Sequence, residues 1–556
     1  MSRHNFHLPW SEYVETLKPH ERPMMPGSPA TPDHTLGYRL AYAAVGLLVT
    51  ATGSIGAAMV SANTQQLAGA LGVSMTEAAW LPVVFVMTNA CMNLLLIKFR
   101  MQYGLRLFAE IFLIAYVLIG LGHLFFEDYQ STLIVRAFAG MASAAMSSLG
   151  ILYLIQAFPA AHRLKGLIIG IGAASFALPA TRLFSNHLLE LSEWRGFHVF
   201  ELGLSLLSLA AVFALRAPPS ERIRVFEKLD FVTFALFAPG IALLCAVLGL
   251  GRVVWWTEAP WIGLALVGAI VLLTAALLVE YNRQTLLINL KWLAGGDIVR
   301  LALSILLVRI VLSEQTVGSV GLLQQLGVGP DQMQGLFAVI LLGTAVGTLT
   351  SAFTLNMAKL NKPIAIALGL IAIGASVDAH ATALTRPAQL YFSQALMAFA
   401  SALFIGPALM IGIVQVLQKG AQNLVSFIVV FAVGQNIAGL AGSALIGTVE
   451  QIREQHHLSH LSEAVTRGDP DVALRLQQLS GAYGAIVQDP ALRSQQGLQL
   501  MQQQLTQQAH VLAYNDVFLL IGWAAALGCA WVTFHHLRPR FAARTAARQS
   551  DVAAAD

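Results

Sequence analysis

The sequence predicts an all-α polytopic membrane protein of fourteen membrane-spanning helices, ordered as six, two and six. Three observations lead there. Hydrophobic residues make up 56% of the 556 residues and charged ones 11%, under half the share usual in globular proteins. Apolar stretches of about twenty residues, the length that crosses ~30 Å of hydrocarbon, recur along the chain. The 33 lysines and arginines fall mostly in the connections that an inside N-terminus leaves on the cytoplasmic side.

Residues 1–37 are polar, rich in Pro and His (HERPMMPGSPATPDH), and lack the apolar core of a signal peptide, so they read as a cytoplasmic tail. Spans near 38–62, 77–98, 106–125, 131–157, 166–190 and 196–216 are expected to form an N-terminal six-helix bundle, 38–216. The segment 217–296 opens with the charged linker APPSERIRVFEKLD and carries two extra spans, near 230–250 and 261–281. A second six-helix bundle takes 297–448 and 513–536, with spans near 297–321, 333–356, 363–384, 387–417, 422–448 and 513–536. Between its last two spans lies 449–512, an outside loop in which Leu498, Leu500, Met501 and Leu505 recur at helical spacing among glutamines. Helical extensions of the flanking spans are expected there. Residues 537–556 read as a second cytoplasmic tail.

Several function classes are excluded or left without support. No Walker loop is present, which argues against ATP as the direct power source, and no nucleophile elbow or metal-ligand spacing marks an enzyme or a cofactor site. Cys91, Cys245 and Cys529 all lie in apolar segments and read as small core residues. In so apolar a chain, the net charge of +4 gives no reason to expect a nucleic-acid partner; the lipid bilayer is the expected surroundings.

The fourth and fifth spans carry the sharpest signals. STLIVRAFAGMASAAMSSLGILYLIQAF holds Arg136 about one and a half turns inside an apolar run, where a guanidinium costs at least ~2.5 kcal/mol unless it meets a partner. Arg136, four residues before Gly140, resembles the RxxxG motif in the fourth span of major facilitator transporters. GIGAASFALPA, with Pro179, resembles the antiporter motif of their fifth span, although Leu178 replaces the Gly of its Gly-Pro pair. WRGFHVFELG, Trp194 to Gly203, is similar to the signature that opens the sixth span of the 14-span EmrB/QacA drug exporters. IKFRMQYGLRLF keeps Gly104 and Arg106 of that family's gating hinge but has Met101 at its Asp. In the first span, Gly56 stands where those exporters carry an Asp linked to proton coupling.

The resemblance implies the major facilitator fold and export of amphipathic small molecules, drugs or organic acids, by proton antiport from a bacterial inner membrane. It also implies a periplasmic adaptor of the HlyD/EmrA type, an outer-membrane channel of the TolC type, and a periplasmic place for 449–512. With Gly56 at the Asp position, the coupling carboxylate has to be sought elsewhere. Burial favours the neutral form of a carboxyl and a nearby guanidinium the charged form, so an intramembrane acid can be switched. Glu314 in the ninth span is the first candidate, Asp378 in the eleventh the second, and Glu110, one turn inside the third, the third. Arg309 and Glu314 are five residues apart, roughly 140° around an α-helix, so each is expected to find its partner on another helix.

Arg136, Arg182 and Arg309 are candidate cavity cations, since guanidinium matches carboxylate geometry and stays charged. Asn89, Asn93, Gln394, Gln435 and Asn436 complete the candidate lining. An uncoupled or uptake permease of the same fold and a non-transporting membrane sensor or scaffold remain as alternatives.

Overall fold

The computed structural model describes residues 10–23, 28–125, 128–283, 286–420, 423–466, 469–482, 484 and 486–553. Its described secondary structure is helical, apart from an isolated bridge between Pro29 and Ser220. Among the described residues, twelve helices are long and apolar enough to cross a membrane. Before the extra pair these are Leu36–Ala62, Met75–Tyr103, Leu105–Phe125, Tyr129–Gln156 and Arg195–Ala214. The extra pair is Lys228–Leu250 and Pro260–Tyr281, and after it come Pro330–Phe353, Asn361–Asp378, Pro387–Lys419, Leu424–Ala464 and Pro490–His535.

The fifth span is a bent pair, Ala160–Ala174 and Ala177–Ser185, meeting at 41°. Pro179 falls in the first turn of the second piece, where its missing N–H removes no helical bond. The ninth expected span is divided: Gly296–Leu312 leads into a π turn, Glu314–Gly318, and then into Ser319–Gln325. Neither α-helical piece reaches spanning length alone. The chain is thus a multi-pass membrane protein.

Each half has its own core. Tyr42, Phe108, Leu149 and Tyr153 pack together in the first, and Ile371, Met397, Phe404 and Val517 in the second. The seventh span joins both sides, because Cys245 and Ile241 pack with Leu94 of the second span and Val433 of the thirteenth. Leu264, Val267, Ile270 and Val271 of the eighth are exposed, which suits a helix facing lipid. A buried charge network ties this extra pair to the second span. Lys98 Nζ and Arg283 Nη1 each stand 2.8 Å from Asp230, and Arg283 Nη1 is 3.1 Å from Glu280.

The tail expected over 1–37 is, in its described part, docked against the bundle. Tyr13, Leu17 and Ala30 bury one another. Arg163 Nη2 donates to the carbonyls of His20 at 2.7 Å and Thr31 at 3.0 Å, and Gln156 Nε2 donates to that of Ala30 at 2.9 Å. A polar, Pro-rich composition hid the small apolar patch and the partners that wait for it on the turn after the fourth span.

Helical extensions of the last two spans are present: Leu424–Ala464 and Pro490–Ala553 continue well past membrane length, and Pro470–Gly481 packs on the second of them. Arg453 Nε and His457 Nε2 meet Asp516 at 2.6 and 2.7 Å, and His510 Nδ1 meets Glu450 at 2.7 Å, clasping the two long helices together.

Candidate functional site

Gly140 positions the first cluster. A Cβ there would collide with Thr88 and the Phe85 carbonyl, so glycine lets the fourth span press against the second. Arg136, one turn earlier, then lies with its guanidinium 4.8 Å over the Phe85 ring, and Nη2 donates to the Gly56 carbonyl at 3.1 Å. Its exposure is 0%, so it is not the cation facing a cavity that the sequence suggested. The reason is Glu201 of the sixth span, whose Oε2 is 3.8 Å from Arg136 Nη1 and whose Oε1 accepts from Tyr116 Oη at 2.8 Å. Sequence reasoning missed Glu201, although the rule that singled out Glu314, an acid inside an apolar run, also applies to it.

The second cluster joins two residues that the sequence proposed separately. Gln394 of the twelfth span donates through one nitrogen to Asp378 Oδ2 at 2.7 Å and to Glu314 Oε1 and Oε2 at 3.1 and 3.3 Å. Ser319 Oγ donates to Glu314 Oε1 at 2.7 Å, a five-residue reach that suits the π turn between them. Glu314 and Asp378 are 0% and 1% exposed. Neither forms a salt bridge among the described residues.

A cavity of about 250 Å³ is lined by Arg309, Ser313, Thr316, Gln435, Asn436 and Ser443 among others. It opens between the second, ninth and thirteenth spans, and Asn436 Nδ2 bridges it to Asn89 Oδ1 at 3.1 Å. Arg309 has no acidic partner among the described residues, and its Nε lacks a hydrogen bond there. Arg309, Gln435 and Asn436 are thus brought together, with Asn89 beside them; Asn93 donates to the Asn89 carbonyl on its own helix at 2.8 Å.

Other candidates lie elsewhere. Arg182 sits 5.1 Å over the Phe337 ring of the tenth span and lines no part of this cavity. Glu110 is exposed on the third span and joins neither cluster. Gly104, at φ 83°, ends the second span in a left-handed turn, and Arg106 Nε donates to the Ala217 carbonyl at 3.3 Å. Both belong to the connection that the segment after the sixth span covers, where Ile223 N–H bonds the Met101 carbonyl at 2.9 Å.

No family model and no curated protein matches the chain. Solved structures do. The human organic anion transporter MFSD10 (TETRAN) aligns with a TM-score of 0.52 at 13% identity, covering 89% of this chain and all of that one. The major facilitator proton:xylose symporter XylE gives 0.48 at 13% identity over 88% and 95% of the two chains. A bacterial homolog of the human lysosomal transporter Spinster, inward-facing, gives 0.44 at 15% over 89% and 99%. The protein has the major facilitator fold.

Proposed function

We propose that the protein is a secondary active exporter of amphipathic organic acids, driven by proton antiport and alternating access of its two halves, as a divergent member of the EmrB/QacA group. The observation that carries this reading is Arg309: a guanidinium without an acidic partner among the described residues, set in a polar cavity with Gln435 and Asn436. A substrate carboxylate would supply the missing counter-charge in a geometry that guanidinium favours. The MFSD10 likeness is one of fold, so its organic anions lend no weight here.

Five residues further along the same span is Glu314, which shares the Gln394 amide with Asp378 of the eleventh span and has no salt-bridging cation among the described residues. Two buried carboxyls that accept from one amide nitrogen and have no salt-bridging cation among the described residues are suited to holding a proton, and we assign the exchanged proton to this pair. The π turn Glu314–Gly318 begins at the proton-carrying Glu314, five residues from Arg309, and gives the route by which substrate at Arg309 and proton at Glu314 affect each other. In the same reading both termini face the cytoplasm of a bacterial inner membrane, and the long helices over 449–512 meet an HlyD/EmrA-type adaptor that leads to a TolC-type channel.

The test is growth protection of an efflux-deficient bacterial host, with the adaptor co-expressed, against matched lipophilic anions and cations, repeated as uptake into inverted vesicles. Protection confined to the anions, lost in Arg309→Gln and partly kept in Arg309→Lys, supports the reading. Protection confined to cations, or an unchanged anion profile in Arg309→Gln, overturns it.

A further inference from the structure

A second cluster of buried ligand-type side chains stands apart from the Arg309 cavity. His123, near the end of the third span, and His198, near the start of the sixth, stack with ring centroids 4.2 Å apart and an interplanar angle of 26°. Glu201 follows His198 by three residues and so shares its helix face. One ligand atom from each of the three lies within 4.8 Å of the others, and all three residues are buried. His123 is 3% exposed, and neither of its ring nitrogens has a hydrogen-bond partner among the described residues. A buried imidazole in that state has lost its water without replacement, unless a bound species answers it.

We propose that His123, His198 and Glu201 bind a divalent transition-metal ion of the zinc or cobalt type, clamping the third span to the sixth. Two imidazoles and a carboxylate are a donor set that such ions take, with a fourth position left for water. Metal–ligand bonds of about 2.0–2.1 Å in a tetrahedron put donor atoms roughly 3.4 Å apart, so modest side-chain rotations close the present arrangement. His123 is two residues from the end of its helix at Phe125 and His198 three from Arg195, which places the site near one end of both spans. Arg136 does not block it. Its Nη1 stands 3.8 Å from Glu201 and makes no hydrogen bond among the described residues, while its Nη2 holds the Gly56 carbonyl. Its charge makes the site weaker than the same ligands would be alone.

The site is independent of the transport reading and is tested by binding. The full chain is purified with a histidine-free tag in a background of His20→Gln, His456→Gln and His460→Gln, because His20 belongs to an exposed ligand cluster and the other two rings touch on an exposed helix. It is titrated with Co²⁺ by visible absorption and with Zn²⁺ by calorimetry. One ion per chain, with the visible bands of four-coordinate Co²⁺, is expected, and affinity should fall at least about tenfold in His123→Gln and in His198→Gln. Absence of stoichiometric binding, or affinity unchanged in both variants, overturns the site. Should the variants fail to purify as monodisperse protein, X-ray absorption at the zinc edge of the background protein decides. Two imidazoles in the coordination shell support the site and fewer overturn it.

Discussion

Glu201 of the sixth span occupies the space beside Gly56 of the first: a Cβ on Gly56 would run into its carboxylate. The acid that Arg136 needs has thus come from a different helix, and the glycine is what leaves room for it. Gly56→Asp should place two carboxylates in one buried space and destabilise the fold by more than ~3 kcal/mol. Adding Glu201→Gly should recover most of that loss, since the aspartate then takes over the pairing. Thermal unfolding in detergent reads both, and a double variant no more stable than Gly56→Asp alone would refute the exchange.

Gln394 is the shared donor of the Glu314–Asp378 pair. Gln394→Leu removes bonds to two carboxyls, each worth about 1.5–3 kcal/mol if its acceptor is charged. Substrate-driven proton movement in proteoliposomes should slow or stop. Glu314→Gln should abolish coupled export outright, whereas wild-type proton flux in the Glu314→Gln, Asp378→Asn double variant would remove the proton assignment.

Asp230 answers both Lys98 and Arg283. Asp230→Asn leaves the buried Lys98 without a carboxylate among the described residues, while Arg283 keeps Glu227 and Glu280, an expected loss of roughly 3–5 kcal/mol. Replacing Lys98 by Met in the same chain should return part of it. Melting curves of Asp230→Asn, Lys98→Met and the double variant settle the matter; additive losses would mean that the residues do not act as a unit.

Deleting Ala464 to Gln508 removes all of the chain between the two long helices, with the outer end of the second, while leaving the Arg453–Asp516 clasp in place. If an adaptor docks there, drug resistance in cells should vanish and transport in vesicles should persist. Loss of both activities, or of neither, would refute the docking role.

The helices were legible because twenty apolar residues in a row admit few other readings, and the helical extensions because Leu498, Leu500, Met501 and Leu505 keep a helical rhythm among glutamines. Glu314, Asp378, Arg309 and Gln394 were legible for a related reason: a polar group inside such a run must find company. Which company was not. Gln394 and Asp378 are sixteen residues apart in sequence, Gln394 and Glu314 eighty, and only the packing of three spans makes them neighbours. The compensation of Gly56 by Glu201 and the meeting of His123 with His198 escaped for the same reason, since each links spans whose order in space no local pattern encodes. The docked N-terminal segment escaped because its apolar residues are few and their receiving groups, Gln156 and Arg163, lie far along the chain.

That strap fixes an order of events at the ribosome. The segment before the first span is synthesised ahead of that span, yet Gln156 and Arg163 follow only with the fourth and fifth spans, and Ser220, which bridges Pro29, emerges after the sixth. A segment that leaves the exit tunnel ahead of the first span is therefore among the last of its half to settle, and its docking can serve as a timestamp for completion of the N-terminal bundle.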